Sequence, residues 1–216
     1  MNIYKVYEKV FKVWRAKRYA IFLEKIQPEK QNTMLDIGGT YTTWQRNGQP
    51  VDKIVAINQS KPKESFILPP GLNIEFLAGD ACELPFSDQS FDLVFSNSVI
   101  EHVGDLERQK LFAEEARRVG GKLWVQTPAQ ECPLEPHYLA PFVHWLPVSV
   151  RRKVLRWFTP WGWMQKPNQE KVDSTIKFTQ LLTKKQFASM FPDCEIYTEK
   201  LLFFFPKSYT AIRLKE

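Results

Sequence analysis

Apolar positions near the start of the chain recur at steps of three and four residues, the spacing of one face of an α-helix. Within residues 4–26 these positions are Val6, Val10, Val13, Trp14, Ile21, Phe22 and Ile26. Pro28 follows and cannot continue a helix. The pattern predicts an amphipathic N-terminal helix within residues 1–28, whose apolar side packs on a sheet.

Five short apolar runs, rich in β-branched, aromatic and leucine residues, predict buried strands. They cover residues 33–37, 53–57, 73–78, 91–96 and 122–127. A helical pattern over residues 105–119 is predicted to end at the Gly120-Gly121 pair. Continuous apolar strands joined by helices or loops are typical of a mostly parallel sheet with both faces covered, so the pattern predicts an α/β, Rossmann-like fold.

The remaining connections and the C-terminal region complete this prediction. Residues 42–49 leave room for a short helix only, and residues 61–71 contain three prolines, which exclude most of a helix. Thr183 predicts the N-cap of a helix that runs through Met190. Residues 195–202 and 208–214 alternate as two strands would, which predicts a closing antiparallel hairpin.

Composition narrows the class of protein. A chain of 216 residues fits one α/β domain, and no run of eighteen apolar residues occurs, so we expect a single cytoplasmic domain without a transmembrane span. Three cysteines without ligand spacing favour reduced thiols over a disulfide or zinc. The net charge of +6 is compatible with an anionic partner or a membrane surface. No nucleic-acid-binding signature is present, so we expect no nucleic-acid partner.

Residues 128–176 differ in composition from the rest of the chain. They contain seven prolines, four of the seven tryptophans and two of the three histidines. We interpret this segment as an insertion, or lid, that covers a bound acceptor molecule.

Polar and glycine residues follow the predicted strands at three places. Gly38-Gly39 comes directly after the first strand and lets a ligand approach the backbone without meeting a Cβ atom, although an ordinary turn would have the same sequence. Asn58 follows the second strand, where a Rossmann-type site has a ribose-binding acceptor. Asp80 follows the third, where it could accept from an adenine amino group or cap a helix near Cys82.

The run GDACELPFSDQSFDLVFSNSVIEHV resembles the middle of the type 11 class I methyltransferases, and LDIGGT resembles their first motif. The resemblance implies a seven-stranded sheet with S-adenosylmethionine (SAM) across the carboxyl ends of the first strands. By matching position it implies contacts to methionine and ribose from Asp36, Gly38, Gly39 and Thr40, and to the ribose hydroxyls from Asn58. It implies contacts to adenine from Asp80 and Ala81, and a floor below the sulfonium formed by Ser96, Asn97 and Val99.

Two features depart from that family. Its first motif usually has a third glycine, whereas this chain has Thr40-Tyr41-Thr42 after Gly39. Its ribose acceptor is usually a carboxylate, whereas Asn58 is neutral, which should weaken SAM binding by about 1 kcal/mol. On this reasoning, Asn58→Asp should tighten SAM binding.

The acceptor side offers three histidines as candidate general bases for a hydroxyl: His102, His137 and His144. His102 follows the fourth strand, and instead of acting as a base it could pack locally or contact the acceptor. His137 and His144 lie in the insertion, where each could instead make a structural hydrogen bond. We favour His137. Their spacing does not suggest a metal site, so we expect none.

Basic and aromatic residues alternate over residues 148–163, as in an interfacial helix that contacts anionic lipid. A solvated lid helix would have the same sequence. The sequence therefore predicts a methyltransferase that acts at an oxygen atom of a small-molecule, sugar or lipid-linked acceptor. We expect the enzyme in the cytoplasm or peripherally at the membrane. A non-catalytic scaffold of the same fold is the alternative, and an NAD-dependent dehydrogenase is disfavoured because no G-x-G-x-x-G occurs.

Overall fold

A computed structural model describes residues 3–63, 65–135, 137–138 and 140–214, with side chains from residue 12 onward. Its main sheet has seven strands, and a two-stranded sheet lies in the insertion. In chain order the strands are β1 (Met34–Ile37), β2 (Ile54–Asn58), β3 (Ile74–Ala78), β4 (Phe91–Asn97), β5 (Gly120–Pro128), β6 (Leu134–Glu135), β7 (Ala140–Pro141), β8 (Glu195–Leu201) and β9 (Phe205–Arg213).

The main sheet has the strand order β3-β2-β1-β4-β5-β9-β8. The first five of these strands are parallel, and β9 runs antiparallel to both β5 and β8. The sheet thus confirms the predicted Rossmann-like fold and its C-terminal antiparallel hairpin. Strands β2 and β3 lie on one side of β1, and β4 and β5 lie on the other, so the strand order reverses between β1 and β4. Ligands of open α/β sheets bind in the crevice that such a switch point forms at the carboxyl ends of the strands.

Seven helices accompany the strands in the part of the chain that the structure describes. They are α1 (Ile3–Ile26), α2 (Tyr41–Asn47), α3 (Leu106–Val119), α4 (Val148–Trp157), α5 (Pro160–Gln165), α6 (Gln169–Lys177) and α7 (Lys184–Met190). The predicted cap at Thr183 is present and forms a capping box with Gln186. The Asp105 side chain caps α3 by accepting from the Arg108 amide.

Helices cover both faces of the sheet, as predicted. On one face Phe22 of α1 and Trp44 of α2 pack with Trp124 of β5. On the other face the core includes Phe112 of α3 and Phe187 of α7. The first face is the one that matters for the site, because α1 and α2 extend past the carboxyl ends of the strands.

The structure corrects two boundaries. The glycine pair ends α3, as predicted, but β5 begins at Gly120 and not at Lys122; a Cβ atom on Gly120 would lie 2.5 Å from Val94 Cγ2, so only glycine allows this close packing. Strand β9 begins at Phe205, earlier than predicted. Pro206 lies opposite Lys200, beside the register shift at Glu199/Lys200, a place where a sheet tolerates proline.

The insertion forms strands β6 and β7 and helices α4, α5 and α6 around a small core of its own. That core contains Tyr138, Ala140, Val143, Leu155, Val172 and Ile176. Among the helices of the described residues, none is long and apolar enough to cross a membrane.

Candidate functional site

The loop after β1 leaves no room for side chains. Gly38 has a φ of +75°, and a Cβ atom there would overlap the Val99 side chain. A Cβ atom on Gly39 would overlap the carboxylate of Asp36. Both glycines are therefore required sterically: the Gly39 main chain is buried and that of Gly38 is half-buried, and both pack closely against neighbouring side chains.

Asp36 supports this loop from below. Its carboxylate is buried, and Trp44 Nε1 donates a hydrogen bond of 2.7 Å to Oδ2. Burial raises the pKa of Asp36 to about 7, although the hydrogen bond from Trp44 opposes the shift. The carboxyl group thus contacts the protein interior and does not line the cavity described below.

Other polar side chains of the first motifs also hold backbone. Ser96 Oγ donates to the Ile37 carbonyl at 3.0 Å, and Asn58 Nδ2 donates to the Gly39 carbonyl at 2.9 Å. An aspartate at position 58 could not donate this bond. The structure thus gives a reason for asparagine here, because its Nδ2 holds the loop while its Oδ1 is still an acceptor.

Asp80 is occupied by protein contacts. Arg108 Nη2 donates to both of its carboxylate oxygens, at 2.8 and 2.7 Å, and the Cys82 amide donates to Oδ1 at 2.9 Å. These contacts, that of Arg108 foremost, lower the pKa of Asp80. No helix begins at Cys82, so the capping alternative does not hold, and Asp80 with Ala81 forms a turn at the end of β3.

A cavity of about 540 Å³ lies at the carboxyl ends of β4 and β5. It is bounded by α1, by the start of α2, by the β8–β9 hairpin and by His137 of the insertion. Of the residues that the resemblance assigns to the cofactor, Thr40 and Asn97 line it. The others do not: Asp36, Gly38, Gly39, Asn58, Asp80, Ala81, Ser96 and Val99. The cavity thus adjoins part of the region assigned to methionine and the sulfonium, and the region assigned to adenine and ribose lies apart from it.

The cavity wall is cationic. Among its described lining residues none is acidic, and five are basic: Lys12, Arg15, Arg18, Arg46 and Lys207. Burial and the neighbouring charges of Arg46 and Arg18 lower the pKa of Arg15. This mutual repulsion is relieved when an anion binds between the cations.

Two of these cations share one carboxylate that lies behind the wall. Glu199 accepts from Arg18 Nη2 at 2.8 Å and pairs with Lys207 Nζ at 2.9 Å. Burial disfavours the Glu199 carboxylate, but these two cations outweigh it and lower its pKa to about 2. Lys12, Arg15 and Arg46 form no ion pair with any side chain that the structure describes, so the wall keeps a positive charge.

His137 is the histidine that lines the cavity. Its Nδ1 lies 2.5 Å from Glu135 Oε1, and its Nε2 lies 3.1 Å from His102 Nε2. Glu101, whose carboxyl group is buried, lies beside His102, and Thr127 Oγ1 donates to its Oε2 at 3.0 Å. Burial raises the pKa of Glu101. The fold thus brings two of the three candidate histidines together with two buried carboxyl groups.

His144 lies elsewhere. Its Nε2 is 2.9 Å from the Gln130 carbonyl, and burial lowers its pKa. It borders a separate small pocket within the insertion and does not line the large cavity. Its position is that of a structural hydrogen bond.

Sequence reasoning missed the cations and the buried carboxyl groups of this site. Lys12, Arg15 and Arg18 are three residues apart on α1, a spacing that places them along one side of a helix, so the signal was present. Glu135 carried no signal, since its pairing with His137 depends on the turn between β6 and β7.

Residues 37–125, from the end of β1 into β5, match the family described as "Methyltransferase domain". This segment, less than half of the chain, has the sequence of a methyltransferase domain. The match includes the Gly38-Gly39 loop, Asp80 and His102, and it ends before the insertion. The chain is accordingly an enzyme with SAM as its cofactor.

Solved structures show the same fold. Magnesium protoporphyrin IX methyltransferase from Synechocystis PCC 6803, solved with bound S-adenosylhomocysteine (SAH), is 12% identical with a TM-score of 0.54, over 94% of this chain and 83% of that one. A protein from Pyrococcus horikoshii OT3 is 16% identical with a TM-score of 0.53, over 92% and 91%. A chain from a complex of the Haloferax volcanii Trm112 methyltransferase activator is 14% identical with a TM-score of 0.52, over 94% and 89%.

Proposed function

We propose that this enzyme transfers the methyl group of SAM to an oxygen atom of an anionic small-molecule or lipid-linked acceptor that binds in the cationic cavity. The observation that carries the proposal is the position of this cavity next to the Gly38-Gly39 loop, with unpaired cations on its wall. Bound SAM supplies an electrophilic methyl group: a new oxygen–carbon bond forms as the carbon–sulfur bond breaks, SAH leaves, and a hydroxyl acceptor also releases its proton.

The loop residues fit SAM. The Gly38-Gly39 turn is tightly packed, because Cβ atoms there would overlap Val99 and the Asp36 carboxylate, and a turn without side chains at the end of β1 supports close approach of a nucleotide. In this proposal Thr40 and Asn97 contact the methionine end of the cofactor, Asn58 Oδ1 accepts from ribose, and the Ala81 amide donates to adenine. Asp36, Ser96 and Val99 act indirectly, since they hold or cover the loop.

Calorimetry with SAM and with SAH tests the cofactor site. The wild-type chain should bind both, and Thr40→Ala should weaken binding, whereas Thr175→Ala on α6 should not, since that threonine lies outside the site. No heat and no competition by SAH at millimolar ligand would contradict this part of the proposal.

The charge of the wall supports an anionic acceptor. A SAM molecule brings one carboxylate together with an ammonium and a sulfonium group, so its net charge is positive and it leaves the positive charge of Lys12, Arg15 and Arg46 in place. The remaining positive charge favours a carboxylate or phosphate on the acceptor. His137 also lines the wall, and we assign acceptor contact to His137 and, through it, to His102.

Activity on matched acids and their neutral esters or amides tests the acceptor class. In a panel of small acceptors, the anionic member of each pair should be methylated in preference. Arg15→Gln and Arg46→Gln should raise the acceptor KM by roughly tenfold or more each, the cost of a lost charge-assisted hydrogen bond. Lys17→Gln is the matched control, because Lys17 is exposed on α1 but does not line the cavity. A preference for neutral acceptors would refute the proposal.

A lipid-linked acceptor would place the enzyme at a membrane surface, and we propose that residues 148–163 make this contact. Trp157, Phe158 and Trp163 are 62%, 72% and 62% exposed, and the Arg156 guanidinium lies 4.7 Å from the Trp157 ring centre. Exposed aromatic rings beside cations are the composition of interfacial helices that bind anionic lipid.

Co-sedimentation with phosphatidylcholine vesicles, with and without phosphatidylserine, tests this contact. The wild-type chain should sediment with the anionic vesicles, and the double variant Trp157→Ala/Phe158→Ala should not. The β8–β9 turn provides the control, because Phe203 and Phe204 are 89% and 83% exposed there. If alanine at Phe203 and Phe204 abolishes vesicle binding instead, residues 148–163 are not the membrane contact. A wild-type chain that never sediments with vesicles would also refute this contact.

A further inference from the structure

Glu101 has a buried oxygen atom without a hydrogen-bond partner. The residue lies in the short 3₁₀ turn Ile100–His102 after β4, and it is 0% exposed. Its Oε2 accepts from Thr127 Oγ1, but among the residues that the structure describes Oε1 has no partner. A buried carboxylate oxygen of this kind is costly unless a cation or a donor satisfies it. Oε1 lies 3.9 Å from His102 Nε2.

The two neighbouring histidines are held with their Nε2 atoms facing each other. His102 Nδ1 lies 2.9 Å from the Phe178 carbonyl oxygen, which can only accept, so Nδ1 carries the hydrogen. His137 Nδ1 lies 2.5 Å from Glu135 Oε1, and the other oxygen of Glu135 accepts from the Tyr138 amide at 2.7 Å. With both Nδ1 atoms as donors, each neutral ring has a lone pair on Nε2.

These lone pairs meet at 3.1 Å, a distance at which they repel each other unless a cation lies between them. Histidines that bind a metal ion have the same surroundings: the second ring nitrogen donates to a carboxylate or a backbone carbonyl, which fixes the ring and its tautomer. His137 has the carboxylate and His102 has the carbonyl.

We propose that Glu101, His102 and His137 bind a divalent transition-metal ion, with Zn²⁺ as the ion that best suits two imidazoles and one carboxylate. The three ligand atoms lie within 4.8 Å of one another. Tetrahedral ligands at roughly 2.0–2.2 Å from a common ion lie about 3.3–3.6 Å apart, so one side chain must move by about 1 Å to close the set. Glu135 is a positioning residue for His137.

Three protein ligands leave coordination positions open, as in catalytic rather than structural zinc sites. His137 lines the acceptor cavity, so the ion would lie at the cavity wall. If the proposed function holds, this position adds a Lewis acid to the acceptor side and favours acceptors with an oxygen ligand. The pairing is not visible in the histidine spacing, because the nearer pair in sequence, His137 and His144, does not meet.

The experiment measures metal content and does not depend on activity. The chain is purified without a polyhistidine tag, loaded with ZnCl₂, dialysed and analysed by inductively coupled plasma mass spectrometry. We expect about one equivalent of Zn²⁺ per chain. The double variant His102→Ala/His137→Ala should lose it, whereas His144→Ala should retain it. Circular dichroism confirms that each variant is folded.

Two further measurements sharpen the result. Titration with Co²⁺ should give the visible absorption of a low-coordinate ion with nitrogen ligands, and MgCl₂ should not displace it. Glu135→Gln should weaken Zn²⁺ binding by roughly 10- to 100-fold, the usual effect of a residue that orients a ligating histidine.

The proposal is overturned if the wild-type chain binds no Zn²⁺ or Co²⁺, if the folded double variant binds as much as the wild type, or if ¹⁵N NMR shows a stable proton between the two Nε2 atoms in the presence of Zn²⁺. SAM calorimetry on the metal-free chain separates this outcome from the proposed function. A chain that binds SAM but neither Zn²⁺ nor Co²⁺ refutes the ion site alone, and a chain that binds the metal but not SAM refutes the cofactor site alone.

Discussion

Replacing Asp36 by asparagine should change how the stability of the protein depends on pH. In the native state burial raises the pKa of this carboxyl group from 3.8 to about 7. Between these two values the native state binds a proton that the unfolded chain has released. The free energy of unfolding therefore decreases as the pH rises through this window. The loss of stability caused by ionising the buried Asp36 carboxyl group is absent at about pH 3 and complete above about pH 8.

The size of the effect follows from the shift. A rise of about three pKa units at about 1.4 kcal/mol each gives about 4 kcal/mol over the whole window, and about 3 kcal/mol of it falls between about pH 5 and pH 8. Asparagine has the same shape and does not titrate. Its carbonyl oxygen still accepts from Trp44 Nε1, although its NH₂ group enters a place that held an acceptor. The variant should therefore lose the pH dependence while paying a constant cost.

Urea denaturation of both proteins without SAM, at several values between about pH 5 and pH 8, measures the difference in unfolding free energy. All other titrating groups are common to the two proteins and cancel in that difference to first order. The difference should change by about 3 kcal/mol in favour of the variant as the pH rises. Trp44→Phe provides a second variant: it removes the hydrogen bond that opposes the shift, so the slope should extend to higher pH. A constant difference between wild type and Asp36→Asn would refute the reasoning.

Two other predictions concern the loop. Gly38→Ala should weaken SAM binding at least tenfold in calorimetry, because it adds a Cβ atom that overlaps Val99 at a positive φ, and adding Val99→Ala should restore part of the affinity. Equal affinity in the single variant would show that the loop adapts. Asn58→Asp should weaken SAM binding, since it replaces the donor to the Gly39 carbonyl with a carboxylate oxygen, the opposite of what the sequence alone indicated. Tighter binding would show that the ribose contact dominates.

The strands and the helices that cover them could be predicted because each carries its own local signal. Buried parallel strands have continuous apolar runs, and the caps Asp105 and Thr183 mark helix starts that depend on a few neighbouring residues. The boundary at Gly120 was different. Two glycines after a helix mark its end, as they do for α3, and only the packing against Val94 of the neighbouring strand β4 makes them also the start of β5.

The site was predictable in part for the same reason. The Gly38-Gly39 loop and its neighbours are a local motif, so their place at the strand ends was confirmed. The meeting of His102 with His137 is not local: it depends on the end of β4 and on the β6–β7 turn lying at one edge of the sheet. Because sequence spacing relates His137 to His144 and not to His102, no periodicity could have indicated the pair.

The polar side chains of the first motifs mostly form hydrogen bonds within the protein. Supporting the loop after β1 and lining the cavity are therefore done by different residues. Asn58 donates to the Gly39 carbonyl and Ser96 to the Ile37 carbonyl, while Asp36 accepts from Trp44 on α2, so protein contacts hold the loop and the strand end before it. The groups that face the cavity come largely from outside residues 37–125, since Arg15 lies on α1 and His137 in the insertion. Charge and metal-binding capacity on the acceptor side can therefore change without altering the loop, and substitutions at Arg15 should change acceptor choice while SAM affinity stays the same.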